Sequence, residues 1–252
     1  MRIVLVALAM VLFFILSFPI YLVLILVGKK NPHTKVRVSQ SIVSWAFNIV
    51  LRCAGTKRTV IGAENVPSDS AVLYVFNHRS LADIPIIYTS VPTLTGFVAK
   101  KEIQKVPFLN LWMRNVNCLF LDRDDMRAGL KTILQGIEYI KQGYSMAIAP
   151  EGTRNHDQEL LPFKEGSLKM AEKTGCPIIP VAITGSADLF ENHKPFFGPS
   201  DITITFGKPI EVKELSREQQ KNLGAHVRDV VGAMLAGGPG HMVGFEDIIK
   251  AE

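Results

Sequence analysis

The longest apolar stretch of the chain comes first. Residues 3–28 carry no charged side chain, and about 26 residues rising about 1.5 Å each cover a hydrocarbon core of about 30 Å. The pattern predicts a membrane-anchoring helix, which Pro19 can kink or tilt. A cleaved signal peptide needs a shorter apolar core and a small-residue cleavage site, and neither is present. Between residues 36 and 53 the apolar positions Val38, Ile42, Trp45, Ala46, Ile49 and Val50 fall at helical spacing, with basic residues at both ends. Such a helix lies at a lipid interface, packs on a domain core, or does both.

From residue 58 the pattern changes to short β-rich runs at 59–61, 71–76, 96–99, 118–121, 145–149, 178–183 and 202–206. Helical periods separate several of them, at 126–142, 165–173 and 217–235, and Gly237-Gly238-Pro239-Gly240 breaks the last. Strands alternating with helices predict an α/β domain whose central sheet, mixed or parallel, is flanked by helices. The organisation expected is an N-terminal membrane anchor with a basic interfacial helix over residues 1–57, followed by one α/β domain over 58–252.

Composition changes this picture only by locating its excesses. The 252 residues are 48% apolar, and the mean hydropathy of +0.21 excludes a disordered chain. The formal charge of +5 is unevenly spread: the segment up to Arg58 holds Arg2, Lys29, Lys30, Lys35, Arg37, Arg52, Lys57 and Arg58 with no acid. Residues 64–252 then carry 20 basic against all 23 acidic side chains, a net of −3. A basic collar beside an apolar run suits anionic headgroups better than nucleic acid. The three cysteines, Cys53, Cys118 and Cys176, form no CxxC pair, which points to a reducing compartment without zinc or a disulfide framework.

Candidate chemistry follows three of the strands. Asn77-His78-Arg79-Ser80-Leu81-Ala82-Asp83 comes directly after the run 71–76, where α/β sheets place ligands. On one continuous helix His78 and Asp83 would be about 140° apart, so they meet only if His78 is in a turn and Asp83 near the next helix start, where Pro85 fits. A carboxylate on one imidazole nitrogen leaves the other as general base. Ser80-x-x-Asp83 reads equally as a capping box. Phe120-Leu121-Asp122-Arg123 and Pro150-Glu151-Gly152-Thr153-Arg154 follow two further strands, and Phe163-Lys164-x-Gly166 adds a cation able to meet phosphate.

Asn77-His78-x4-Asp83, Phe120-Leu121-Asp122-Arg123, Pro150-Glu151-Gly152-Thr153-Arg154 and Ile179-Pro180-Val181-Ala182 together resemble, in order, the four blocks of the glycerolipid acyltransferases, with most likeness to the bacterial 1-acylglycerol-3-phosphate group. The resemblance implies that family's α/β fold and acyl transfer from an acyl carrier protein or CoA thioester to the sn-2 hydroxyl of lysophosphatidic acid, giving phosphatidic acid. It implies His78 as general base, Asp83 as its orienting partner, and Arg123 as a phosphate contact. It also implies acceptor binding by Glu151, Gly152, Thr153 and Arg154, a weaker part for Lys164, and a donor-side or tunnel-shaping part for Pro180. No metal and no cofactor beyond the thioester co-substrate is implied, and the setting is the cytoplasmic face of the inner membrane. The family usually has glycine where Asn117 stands and often serine where Asn155 stands. Two other readings are the same transfer to a lyso-ornithine lipid or another lysophospholipid, and a non-catalytic lipid-binding membrane scaffold.

Overall fold

The computed structural model describes residues 1–157 and 159–237, so Gly238-Pro239-Gly240 of the expected helix breaker lies outside the described residues. The chain opens with two long helices, α1 (Arg2–Lys30) and α2 (Pro32–Ala54). Asn31 separates them: its side chain accepts the Thr34 N–H at 2.9 Å, and Pro32 takes a first-turn position that has no N–H to lose. Gly55, at φ 91°, ends α2 in the left-handed region. Pro19 sits inside α1 without ending it.

Strands β1 (Thr56–Ile61), β2 (Leu73–Phe76), β3 (Thr95–Lys100), β4 (Leu119–Leu121), β5 (Ser145–Ile148), β6 (Ile178–Thr184) and β7 (Ser200–Phe206) form one sheet in the order β1-β7-β6-β2-β5-β3-β4. Every expected strand is there. The sheet is mixed: β6, β2, β5, β3 and β4 run parallel, β7 is antiparallel to β6, and β1 is parallel to β7. Helices α3 (Asp83–Tyr88), α4 (Leu109–Asn115), α5 (Met126–Lys141), α6 (Lys169–Thr174), α7 (Arg217–Lys221) and α8 (Leu223–Ala236) complete the fold. The single helix expected over 217–235 is two, broken at Asn222. A capping box between Ser216 and Gln219 starts the first of them.

Side-chain alternation divides the core into two layers. Tyr74, Phe76, Ile179, Val181 and Ile183 pack with α2, α3 and α4 on one face, and α1 lies over that layer. Leu73, Val75, Ile178 and Ala182 pack with α5, α6 and α8 on the other.

The N-terminal helices do not stand away from this domain. Among the described residues α1 is the one helix long and apolar enough to cross a membrane. Yet Phe13 and Tyr21 of α1 lie against Trp112, with ring centroids 5.5 and 6.1 Å away, and Phe14 and Phe18 lie 6.2 and 6.1 Å from Phe108. Helix α2 is tied beneath by Gln40, whose amide donates to the Thr93 carbonyl at 2.8 Å and accepts the Thr95 N–H at 2.8 Å. Of the alternatives for residues 36–53, packing on the domain is seen: Val36, Val43, Ala46 and Leu51 are buried, while Trp45 is 63% exposed.

This geometry corrects the single basic collar. Tyr144, just before β5, stacks on His33 at the start of α2. At the other end of α2, Gly55 accepts the Ser200 N–H, and the Ser200 hydroxyl donates to Gly185 just past β6. Lys29, Lys30, Lys35 and Arg37 thus sit where α2 begins, near the start of β5, and Arg52, Lys57 and Arg58 where it ends, at the β1 edge of the sheet. About 22 Å of α2 separates Arg37 from Arg52. Arg2 joins the second group, because a side chain at Gly55 would meet its guanidinium at 2.9 Å.

Candidate active site

The loop after β2 is held on both sides by loops from neighbouring strands. His78 lies outside any helix and Asp83 opens α3, the one arrangement in which the two meet. His78 Nδ1 is 2.9 Å from Asp83 Oδ2. The same oxygen accepts the N–H groups of Arg79 and Ser80, each at 2.8 Å. Asp83 therefore shapes the turn and orients the imidazole together, and the capping box forms only by half: Asp83 accepts the Ser80 N–H, but Ser80 Oγ donates to Glu191 and accepts the Ala82 N–H at 3.0 Å instead of the Asp83 N–H. Asp83 is wholly buried, while His78 is 18% exposed. The ring stands edge-on to Phe76, and Nε2 has no hydrogen-bond partner among the described residues.

Glu151, from the loop after β5, is buried with both oxygens occupied. Oε1 accepts the His78 N–H at 2.9 Å; Oε2 accepts the Asn155 amide at 3.0 Å and the Leu161 N–H at 3.1 Å. The Asn155 N–H donates to the His78 carbonyl at 2.7 Å, so both backbone groups of His78 are fixed by the β5 loop. Asn155 also donates to the Glu159 carbonyl at 2.6 Å and accepts the Asp157 N–H. These bonds give the departure from serine a physical role. Beneath the loop, Asn77 forms a two-way clamp on β6, donating to the Ile183 carbonyl at 3.0 Å and accepting its N–H at 2.8 Å.

Glu191, in the loop between β6 and β7, had no motif to mark it. Its side chain is 1% exposed. It accepts from Ser80 Oγ, from the Leu81 N–H at 3.0 Å and from Arg154 Nη1 at 3.2 Å. Arg154 is thus turned onto a protein carboxylate, and its charge is locally balanced.

Arg123 differs. It follows β4, three strand spacings from β2, or about 14 Å at about 4.8 Å per strand. It makes no ion pair among the described residues. Desolvation lowers its pKa, and the charges of Glu102 and Asp124 raise it. Asp122 turns away to Lys101, 2.8 Å distant, and accepts the Asp124 and Asp125 N–H groups, shaping the entry to α5. Gly152, at φ 76°, lies under Lys164: a side chain there would meet the ammonium at 2.9 Å. Thr153 is exposed beside it. The structure gathers His78, Asp83, Glu151 and Arg154 at the carboxyl ends of β2 and β5, with Gly152, Thr153 and Lys164 on the same loop system. Pro180 is not among them; it is buried inside β6 opposite Val75. The position that families of this pattern fill with glycine has φ 57° in Asn117, a conformation asparagine tolerates better than most residues.

A family model described as acyltransferase matches residues 57–184. The 1-acyl-sn-glycerol-3-phosphate acyltransferase of Borreliella burgdorferi is 32% identical over 195 residues, covering 77% of this chain and 78% of that one. The enzyme of that name from Saccharomyces cerevisiae is 29% identical over 208 residues, with 81% of this chain and 66% of that one covered. The crystal structure of the 1-acyl-sn-glycerophosphate acyltransferase of Thermotoga maritima superposes with a TM-score of 0.70 at 29% identity, covering 94% of this chain and 97% of that one.

Proposed function

The chain belongs to the acyltransferase family, and we propose that it moves an acyl group from a carrier-protein or CoA thioester to the sn-2 hydroxyl of 1-acyl-glycerol-3-phosphate, forming phosphatidic acid. The observation that carries this reading is the imidazole of His78, oriented through Nδ1 by the buried Asp83 at 2.9 Å while Nε2 is left for substrate. The relatives named for this reaction support the acceptor.

The chemistry needs no protein nucleophile. The acceptor hydroxyl gives its proton to His78 Nε2 as its oxygen attacks the thioester carbonyl. Collapse of the tetrahedral adduct breaks the carbon–sulfur bond, and the imidazolium returns the proton to the departing thiolate. Asp83 stabilises the imidazolium between these steps without itself taking the proton. Glu151 and Asn155 act through His78, fixing its backbone. Arg123 is the acceptor-phosphate residue of this scheme, because its charge has no ion-pair partner among the described residues. Lys164 and the backbone at Gly152 stand as secondary contacts.

Residues 1–57 form the membrane-bound part in this reading, with α1 lying along the surface of one leaflet. Aromatic packing at the middle of α1 supports that placement, since a perpendicular helix would drag Trp112 and its polar surroundings into hydrocarbon. The acceptor then reaches His78 without leaving the bilayer, at the cytoplasmic face. An acyl-transfer assay on the purified protein, run over a panel of lysolipids with both donor types, tests the proposal. Transfer to 1-acyl-glycerol-3-phosphate above the others is expected, and transfer to none would end it.

A further inference from the structure

A cavity of about 710 Å³ opens beside the catalytic turn and contains none of the residues assigned above except by adjacency. Its walls come from Arg79, next to His78; from Thr184 at the end of β6 and Ser186 beyond it; from Leu160; and from Arg228 and Gly232 of α8. Helix α8 of one core layer forms one wall, and the end of β6 with the loop after it forms another, so the cavity lies at the carboxyl end of β6. Asn192, beside Glu191, also lines it. The cavity therefore borders the catalytic turn.

We propose that this cavity takes the phosphopantetheine arm of the acyl donor. The inference rests on the transfer reaction above and assigns its second substrate a place. Two substrates must reach one imidazole: the acceptor is a lipid held in the bilayer, and the donor thioester is carried by a water-soluble group. The chemistry of the walls suits such an arm. The hydroxyl of Thr184 and the carboxylates of Glu159 and Asp188 can meet its two amides, Leu160 its apolar middle, and the guanidinium of Arg228 its phosphate. Asp229 lies 3.1 Å from Arg228, an exposed neighbouring pair that a phosphate dianion can outcompete. The same arm ends CoA and acyl carrier protein, so one site serves either source.

Gly232 offers a clean plug. A Cβ there would have a single neighbour, Leu160 Cδ1 at 3.8 Å, so a large side chain enters the cavity without displacing backbone, and leaving glycine favours the helix. The test uses the full chain in lipid or detergent micelles, comparing wild type, Gly232→Trp and Arg228→Glu. Gly232→Trp should raise the KM for the donor at least about tenfold with the acceptor KM unchanged. Arg228→Glu, on an exposed side chain, should raise the donor KM in the same selective way and covers the case in which the tryptophan variant fails to fold. Direct titration with CoA and with 4′-phosphopantetheine needs no acceptor and separates this proposal from the reaction itself. Binding to wild type that Gly232→Trp abolishes supports the cavity even if the lysolipid panel fails. Binding of CoA identifies CoA as a source of the arm, whereas a response confined to the carrier-protein thioester identifies the carrier. Donor KM and CoA binding both unchanged in a folded Gly232→Trp and in Arg228→Glu would overturn it.

Discussion

The carboxylate of Glu191 lies 3.2 Å from the guanidinium of Arg154 and, through its other bonds, holds Ser80 and Leu81 of the catalytic turn. A residue from the β6–β7 loop thereby joins the loops after β2 and β5 around His78. Glu191→Gln should keep the fold and lower kcat about tenfold, because Arg154 loses its counter-charge while part of the hydrogen bonding survives. Glu191→Ala should also cost about 1–3 kcal/mol of stability through the orphaned Leu81 N–H. Denaturant unfolding and steady-state kinetics measure both, and unchanged values would show the link to be idle.

His78→Ala should lower kcat by about 10²- to 10⁴-fold at near-normal stability, the usual contribution of a positioned general base. Asp83 behaves differently because it also accepts the Arg79 and Ser80 N–H groups. Asp83→Ala leaves those donors unpaired in a buried turn and should destabilise the protein by about 2–3 kcal/mol; Asp83→Asn is the cleaner catalytic probe. A fully active, stable Asp83→Ala enzyme would contradict both roles.

With Arg123 supplying a charge-assisted bond to the acceptor phosphate, Arg123→Ala should raise the acceptor KM about 10- to 100-fold and leave the donor KM unchanged. The same change at Arg154 should act more through kcat, since that side chain already serves Glu191. Kinetics with each substrate varied in turn separates the two arginines.

At Asn117 the backbone has φ 57°. Asn117→Gly should hold or slightly raise stability, and Asn117→Ala should lower it by about 1–2 kcal/mol, the left-handed penalty for an ordinary side chain. Gly96 faces this turn closely: a Cβ there would come within 2.3 Å of the Asn117 carbonyl oxygen, so Gly96→Ala should shift the melting temperature further than Asn117→Ala.

If α1 lies along one leaflet, an epitope tag placed before Met1 should be digested in sealed vesicles whenever the catalytic domain is digested. Protection of the tag with loss of the domain would instead require α1 to cross the bilayer.

Sequence alone determined those features that depend on local pattern. The seven β-rich runs read as strands because apolar alternation is a local signal. The length of α1 was legible for the same reason, as was the separation of His78 and Asp83 into turn and helix start, which five-residue spacing compels. Their motif neighbours could be named but not given directions. Glu151 turns inward to the His78 backbone, Pro180 is sealed inside β6, and Arg154 pairs with Glu191; these outcomes depend on strand order, which places β5 and β6 on either side of β2. Glu191 itself was invisible, because Ser80 and Leu81 stand 111 and 110 positions away and Arg154 stands 37 away, and no periodicity links them. The basic collar also divided only in three dimensions, once α2 was seen to run as a rigid rod across the sheet from His33 to Gly55. Local sequence sets which residues can form an element and which chemistry is present, while the packing of elements decides which charges face each other and which face substrate.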